Sequence, residues 1–97
     1  MADAALKEKI RETLKSGYFR DPDDSVYVSD SEDVDENIHV VIVSPKFRGK
    51  RLGEKTDLIL SDLMQNLDRE EWGRVSLSVG VSPEDSVGVS PEELKAL

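Results

Sequence analysis

The segment 46–55, KFRGKRLGEK, concentrates positive charge in an otherwise acidic chain. It holds five basic residues and one acidic residue, whereas the 97-residue chain has a formal net charge of −8. Its glycines favour a loop, and the apolar periodicity that follows places these bases before a predicted helix N-terminus. Backbone N–H groups at such a terminus, with lysine and arginine nearby, can hold a phosphate. The candidate nucleic-acid- or anion-binding residues are Lys46, Arg48, Lys50, Arg51 and Lys55.

The neighbouring segment 20–37 has the opposite charge, with eight acidic residues and one basic residue. A change of sign over so few positions is typical of a partner surface, or of two solvated loops that attract each other. The basic segment therefore has three open interpretations: nucleic-acid binding, a protein-partner surface, or a solvated loop. The net charge of −8 opposes the approach of a nucleic acid.

The composition offers few groups for catalysis. The chain has no cysteine and a single histidine, His39, so a disulfide, a thiol nucleophile and a thiolate metal site are excluded. No Ser-His-Asp, Cys-His, zinc or phosphate-loop arrangement can be assembled from these residues. In the acidic segment 30–37, Asp35 occupies the place of the glycine that an EF-hand loop requires. We expect a non-enzymatic protein with no metal site and no cofactor.

Apolar periodicity predicts the elements that position the basic segment. Leu6, Ile10 and Leu14 recur every four residues, as on one face of a helix that Asp3 caps and Gly17 ends in a left-handed conformation. Residues 25–30 and 38–44 are short β-branched runs, which favour strands. The segment 52–72 predicts the longest helix, with an apolar stripe of Ile59, Leu60, Leu63, Met64 and Leu67. Strict alternation at 75–81 predicts a third strand with one apolar face, formed by Val75, Leu77, Val79 and Val81.

This order predicts an α+β sandwich in a single domain. The first two strands can form an antiparallel hairpin, and the strand–helix–strand crossover favours a parallel, right-handed connection. We expect a three-stranded mixed sheet with helices packed on one face, a core spanning about residues 6–84 and a tail at 85–97 with a short helix. Two Ser-Pro-Glu sequences, at 82–84 and 90–92, are typical helix starts.

The chain carries no recognisable targeting or membrane segment. Its longest apolar run, VVIV at 40–43, is far too short to span a bilayer. The N-terminal segment has charges at helical spacing and does not match a secretory signal. We therefore expect a cytoplasmic protein without a membrane partner.

The succession HVVIVSPKFRGKRL, a helix, VSLSV and a trailing Ser-Pro-Glu resembles the BolA-like family. The matching positions are Val43, Ser44, Phe47, Gly49, Lys50 and Leu52, and the resemblance covers about residues 6–84. It implies an αββαβ fold like that of class II KH domains. It also implies a non-enzymatic transcriptional or stress regulator, or a partner of monothiol glutaredoxins in iron–sulfur cluster handling.

Several residues that are typical of the family, including its histidines, are replaced in this chain. The Arg-His-Arg that usually opens the family's long helix is Lys-Thr-Asp at 55–57, and its histidine at the last strand falls on Val75. Another family histidine falls on Asn37, and a lone His39 cannot supply a cluster site. We expect a regulatory or adaptor domain that binds DNA or RNA through the basic loop. The alternative is a protein-interaction module with a monothiol-glutaredoxin-like partner and no iron–sulfur ligation.

Overall fold

The computed structural model describes residues 3–31 and 36–95, so residues 32–35 of the predicted acidic loop lie outside the described part. The helices are α1 (Ala4–Ser16), α2 (Leu52–Asn66), α3 (Arg69–Trp72), α4 (Pro83–Ser86) and α5 (Pro91–Leu94), and the strands are β1 (Ser25–Asp30), β2 (Ile38–Val43) and β3 (Val75–Val81). The predicted order of elements is confirmed. Within the described residues, no helix is long and apolar enough to cross a membrane.

The three strands form one mixed sheet in the order β1-β2-β3. β1 and β2 are antiparallel, with Tyr27 opposite Val41. β2 and β3 are parallel, as expected when a helical crossover joins two strands of one sheet. Both predicted pairings are therefore confirmed, and the fold is of the α+β class.

The two long helices cover one face of this sheet. α1 contributes Ile10 and Leu14, and α2 contributes Ile59 and Leu63, all with no exposed surface. They pack with Ile38, Val40 and Ile42 of β2 and with Phe19 and Phe47 in a single apolar core. Alternate residues of a strand point to opposite faces, so this core takes only the even-numbered residues of β2.

The C-terminal segment packs on the opposite face of the sheet. Leu94 of α5 is 1% exposed and contacts a second apolar cluster that contains Val41 and Val81. The predicted packing of the helices on one face of the sheet is therefore confirmed for α1 and α2, whereas α5 packs on the other face. Residues 85–95 are predicted as a tail beyond the core. In the structure they cover part of the second face of the sheet.

β3 does not present one uniform apolar face, so that prediction is wrong. Ile38 is paired with Val75, but the next residue, His39, is paired with Leu77, which leaves one extra β3 residue in the ladder. Such a bulge shifts every later side chain to the other face. Val75 consequently packs with the main core, whereas Val79 and Val81 pack with the second cluster.

Glycine at position 17 is required by packing and not by a left-handed turn. Gly17 has φ −100°, which corrects the predicted left-handed helix end. A Cβ atom at this position would lie 2.6 Å from Oδ1 of Asp62, so a larger residue would require the Asp62 carboxylate to shift. The close approach of α2 to the end of α1 explains the glycine.

The segment predicted as one long helix is divided into α2 and α3. Leu67 has extended backbone angles, φ −125° and ψ 155°, and Asp68 caps the new helix by accepting a hydrogen bond from the N–H of Glu71 at 2.9 Å. Met64, predicted in the apolar stripe, is 53% exposed. The helix rotates this position away from the core while Ile59 and Leu63 remain buried.

Candidate partner-binding surface

A buried serine and aspartate support the start of the basic segment. Ser44 is fully buried directly after β2, and its N–H donates to the carbonyl oxygen of Val81 at 2.9 Å. Its hydroxyl donates to Asp24, which is 3% exposed, and accepts from the N–H of Lys46 at 3.1 Å. Ser44 thus joins β2, β3 and the loop before β1, and it begins the short 3₁₀ turn over Pro45–Phe47.

Lys46 is the counter-ion of this buried carboxylate. Its ammonium group donates to Asp24 and to the carbonyl oxygen of Tyr18 at 2.7 Å, and it forms an ion pair with Asp21 at 2.9 Å. Burial by itself would raise the pKa of Asp24, but the hydrogen bonds from Lys46 and Ser44 outweigh it and hold that pKa below its ordinary value. Burial likewise acts to lower the pKa of Lys46, and its bonds to Asp24 and Asp21 reverse the direction. Lys46 is therefore a structural residue.

Arg48 is engaged by an acidic residue of α4. Its Nε donates to Oε1 of Glu84 at 2.7 Å, and a terminal guanidinium nitrogen contacts the same oxygen. The hydrogen bond from Arg48 lowers the pKa of Glu84 to about 2. Both side chains are more than half exposed, at 58% and 57%, so solvent screens the pair. A ligand that used Arg48 would first have to displace Glu84.

The remaining three bases surround the beginning of α2. Gly49 has φ +71°, a left-handed conformation that glycine adopts without strain, and it turns the chain from the 3₁₀ turn toward α2. Lys50 and Lys55 are half-buried and Arg51 is exposed. In the described part of the chain none of the three has an ion-pair partner within 4.0 Å. These three residues are the part of the predicted site that is available to a ligand.

A hydrophobic side chain lies among these cations. Leu52, the first residue of α2, is 73% exposed, although leucine normally packs inside. We call Lys50, Arg51, Leu52 and Lys55 the α2 N-terminal surface. The sequence motif marked Leu52 only as a position shared with a family, and its exposure could not be inferred from its type.

The helix N-terminus itself is already partly capped. Glu54 accepts a hydrogen bond from the N–H of Arg51 at 3.0 Å, and its carboxylate lies in the first turn of α2. This internal anion competes with an external phosphate for the positive end of the helix. The backbone therefore adds less to anion binding than the sequence suggests, and the lysine and arginine side chains are the main recognition groups.

The single histidine lies in the central strand of the sheet and is not part of this surface. His39 is half-buried at the centre of β1–β2–β3, opposite Ser29 and Leu77. Its Nδ1 atom is buried and has no hydrogen-bond partner among the described residues. Across residues 3–31 and 36–95, no three His, Cys, Asp or Glu side chains are placed to hold one metal ion.

Comparisons with known proteins identify neither a family nor a relative for this chain. No protein-family model, no curated protein and no solved structure matches the chain. The function must therefore be argued from the residues of the surface itself.

Proposed function

We propose that this chain is a non-catalytic regulatory or adaptor domain of the BolA-like kind, which binds a partner protein through the α2 N-terminal surface. Three positions of the BolA-like motif have definite structural roles, which supports the proposed family relationship. Ser44 and Phe47 are buried, and Gly49 provides the left-handed turn. The mixed sheet with β2 between β1 and β3 is compatible with a class II KH-like arrangement.

The observation that carries the proposal is the exposed Leu52 among three cations that have no ion-pair partner in the described part of the chain. Burying such a side chain against a partner stabilises a complex by about 1.5–3 kcal/mol. Lys50, Arg51 and Lys55 would steer an acidic partner toward it and set its orientation. The complementary partner surface is therefore an apolar pocket bordered by carboxylates.

A monothiol-glutaredoxin-like protein is the specific partner that the family resemblance suggests. The chain lacks the family's histidines at Asn37 and Val75, and His39 lies within the sheet. We therefore propose that such a complex forms in the absence of iron and without a shared cluster. Cytoplasmic localisation is part of this proposal, since that partner class works on intracellular iron–sulfur clusters.

Nucleic-acid binding is the second candidate, and a separate observation favours it. Gly49 turns the chain toward α2. Lys50, Arg51 and Lys55 then lie at the N-terminal end of this helix, which carries its partial positive charge. Phosphate contacts from three bases would give a salt-dependent affinity, with one counterion released for each contact. Lys46 and Arg48 would contribute less to nucleic-acid binding than predicted, because they already form ion pairs with Asp24 and Glu84.

An NMR titration of the ¹⁵N-labelled protein distinguishes the two candidates. The ligands are an iron-free monothiol glutaredoxin, a short DNA duplex and a short RNA. Leu52→Ser should weaken protein binding about tenfold, which corresponds to about 1.4 kcal/mol, and leave nucleic-acid binding nearly unchanged. Lys50→Glu combined with Arg51→Glu should weaken both, because both ligand classes are acidic.

Two matched variants control for general effects of charge and exposed apolar surface. Arg69→Glu reverses an exposed charge on α3, and Val87→Ser removes a valine that is 81% exposed. Both should bind like the wild type. Binding of either ligand class with no change in the Leu52 and Lys50–Arg51 variants would show that the α2 N-terminal surface is not the site.

A further inference from the structure

A carboxylate that forms no ion pair with any described residue is buried between α2 and the end of α1. Asp62 lies in the C-terminal half of α2 and is 8% exposed. Both of its oxygens accept from the N–H of Tyr18 at 3.3 Å, a single donor shared between two acceptors. Within residues 3–31 and 36–95 the carboxylate has no ion pair.

The position of this carboxylate is electrostatically unfavourable. It lies against Gly17, directly after the C-terminal end of α1, where the helix presents its partial negative charge. Burial raises the pKa of Asp62 above its ordinary value, and only the Tyr18 N–H acts in the other direction. A nearby positive group would stabilise the charged form of this buried carboxylate, and among the described residues no cation pairs with it within 4.0 Å.

Asp62 borders a cavity of about 500 Å³ at the junction of α1 and α2. Its other lining residues are Gly17, Tyr18, Arg20, Asp21, Lys46, Gln65 and Asn66. The charge of Lys46 is already compensated by Asp21 and Asp24. Arg20 is exposed and forms no ion pair with Asp62 in the structure.

The cavity has the features of a site for a compact cation. The amide side chains of Gln65 and Asn66 offer further oxygen acceptors, and the ring of Tyr18, 45% exposed, already has the ammonium of Lys46 5.2 Å from its centroid. Aromatic faces and carboxylates both attract ammonium groups. An ammonium is smaller than a guanidinium and suits a carboxylate of which little surface is reachable.

We propose that this cavity binds an organic cation through a primary ammonium group, with Asp62 as its counter-ion. The site is separate from the α2 N-terminal surface, and the proposal does not depend on the proposed function. The ammonium can belong to a small free amine or to a lysine side chain of another molecule. The two sources share the same recognition chemistry at Asp62.

The test is an NMR titration of the full-length ¹⁵N-labelled chain with putrescine, with 1,4-butanediol as the neutral analogue. We expect putrescine to shift the amide signals of Gly17, Tyr18 and Asp62 and butanediol to leave them unchanged. Nα-acetyl-lysine amide, titrated in parallel, distinguishes a lysine side chain from a free amine. Sodium chloride added at equal ionic strength controls for screening.

Three variants assign the effect to the carboxylate. Asp62→Asn, which preserves the shape, should weaken putrescine binding at least tenfold. Asp57→Asn, an exposed change on the same helix, should leave binding unchanged. Arg20→Gln should strengthen binding several-fold, because it removes a competing cation from the cavity.

The pH dependence provides a second measurement that needs no variant. Protonation of Asp62 removes the counter-ion, so binding by the wild type should weaken as the pH falls through the pKa of this residue. An absence of signal changes with either amine, or equal binding by wild type and Asp62→Asn, would overturn the proposal. The same holds for binding that does not change on acidification.

Discussion

At the scale of single residues, neighbouring bases in one segment perform different tasks. Lys46 and Lys50 are four positions apart and look equivalent in the sequence. The Lys46 side chain is 22% exposed and its ammonium contacts Asp24, whose side chain is wholly buried. Lys50 belongs to the α2 N-terminal surface and has no ion-pair partner among the described residues. One base stabilises the fold, and the other is available to a ligand.

Replacing each of these lysines by methionine separates the two roles. Lys46→Met leaves Asp24 buried without its counter-ion, and we expect the free energy of unfolding to fall by about 3 kcal/mol. Lys50→Met should change it by less than about 0.5 kcal/mol, as is usual for a surface substitution. Urea denaturation followed by circular dichroism measures both. Equal effects of the two substitutions would contradict the structural role of Lys46.

Two glycines provide a second matched pair. A Cβ atom at Gly80 would lie 2.7 Å from Cζ of Phe47, whose ring is fixed in the core at 1% exposure. Gly80→Ala should therefore destabilise the protein by about 1–3 kcal/mol through overpacking. Gly53, in the first turn of α2, has open space around it. Gly53→Ala should stabilise by up to about 1 kcal/mol, because alanine favours a helix.

Thermal unfolding of the two alanine variants compares them directly. We expect the midpoint to fall for Gly80→Ala and to rise slightly for Gly53→Ala. A Gly80→Ala variant as stable as the wild type would mean that Phe47 can move within the core.

At the scale of elements, the bulge in β3 connects the C-terminal segment to the sheet. Because Val79 and Val81 face away from α1 and α2, they need cover from elsewhere, and Leu94 of α5 supplies part of it. Lys95 adds a hydrogen bond to the hydroxyl of Ser29 at 2.6 Å. α5 has only four residues, so it would not be stable without these contacts.

Leu94→Ala tests whether α5 is held by this single buried side chain. We expect a loss of about 2 kcal/mol or more, typical of a buried leucine truncated to alanine. Hydrogen exchange at Leu94 and Lys95 should become faster, since their N–H groups bond within the α5 turn. Val87→Ala, at an 81% exposed position in the same segment, is the control and should change neither quantity. Unchanged exchange in Leu94→Ala would show that other contacts hold the segment.

At the scale of the whole molecule, the free energy of unfolding should depend on pH, because folding lowers the pKa of some carboxyl groups and raises that of another. The pKa of Asp24 and that of Glu84 lie below their ordinary values, the latter at about 2. Their contributions are complete above the pKa values of the unfolded chain and are lost as the pH falls through the folded values. The pKa of Asp62 is raised by burial, so its ionisation at higher pH opposes folding.

We therefore expect the free energy of unfolding to decrease between about pH 4.5 and pH 2. Asp24→Asn should flatten this part of the profile, since it removes a carboxylate whose folded pKa is lowered. Asp23→Asn, at the exposed neighbouring position, should leave the profile as in the wild type. Urea unfolding at a series of pH values measures the dependence. A profile that Asp24→Asn does not alter would contradict the assigned role of that residue.

The order of elements, both strand pairings, the helix cap at Asp3 and the helix starts at the two Ser-Pro-Glu sequences could be predicted from the sequence alone. These features follow from local periodicity and capping chemistry, which a single segment contains within itself. The five bases of segment 46–55 were also visible as a group. The family relationship and the partner stay predictions, because no comparison tests them.

The tertiary structure alone decided which of those bases are available. Lys46 and Arg48 are neutralised by Asp24 and Glu84, which lie 22 and 36 positions away in the sequence. The bulge in β3, the cover of the second sheet face and the buried Asp62 likewise depend on contacts between distant segments. Charge and periodicity are properties of a segment, whereas burial and the pairing of charges arise only when the chain folds.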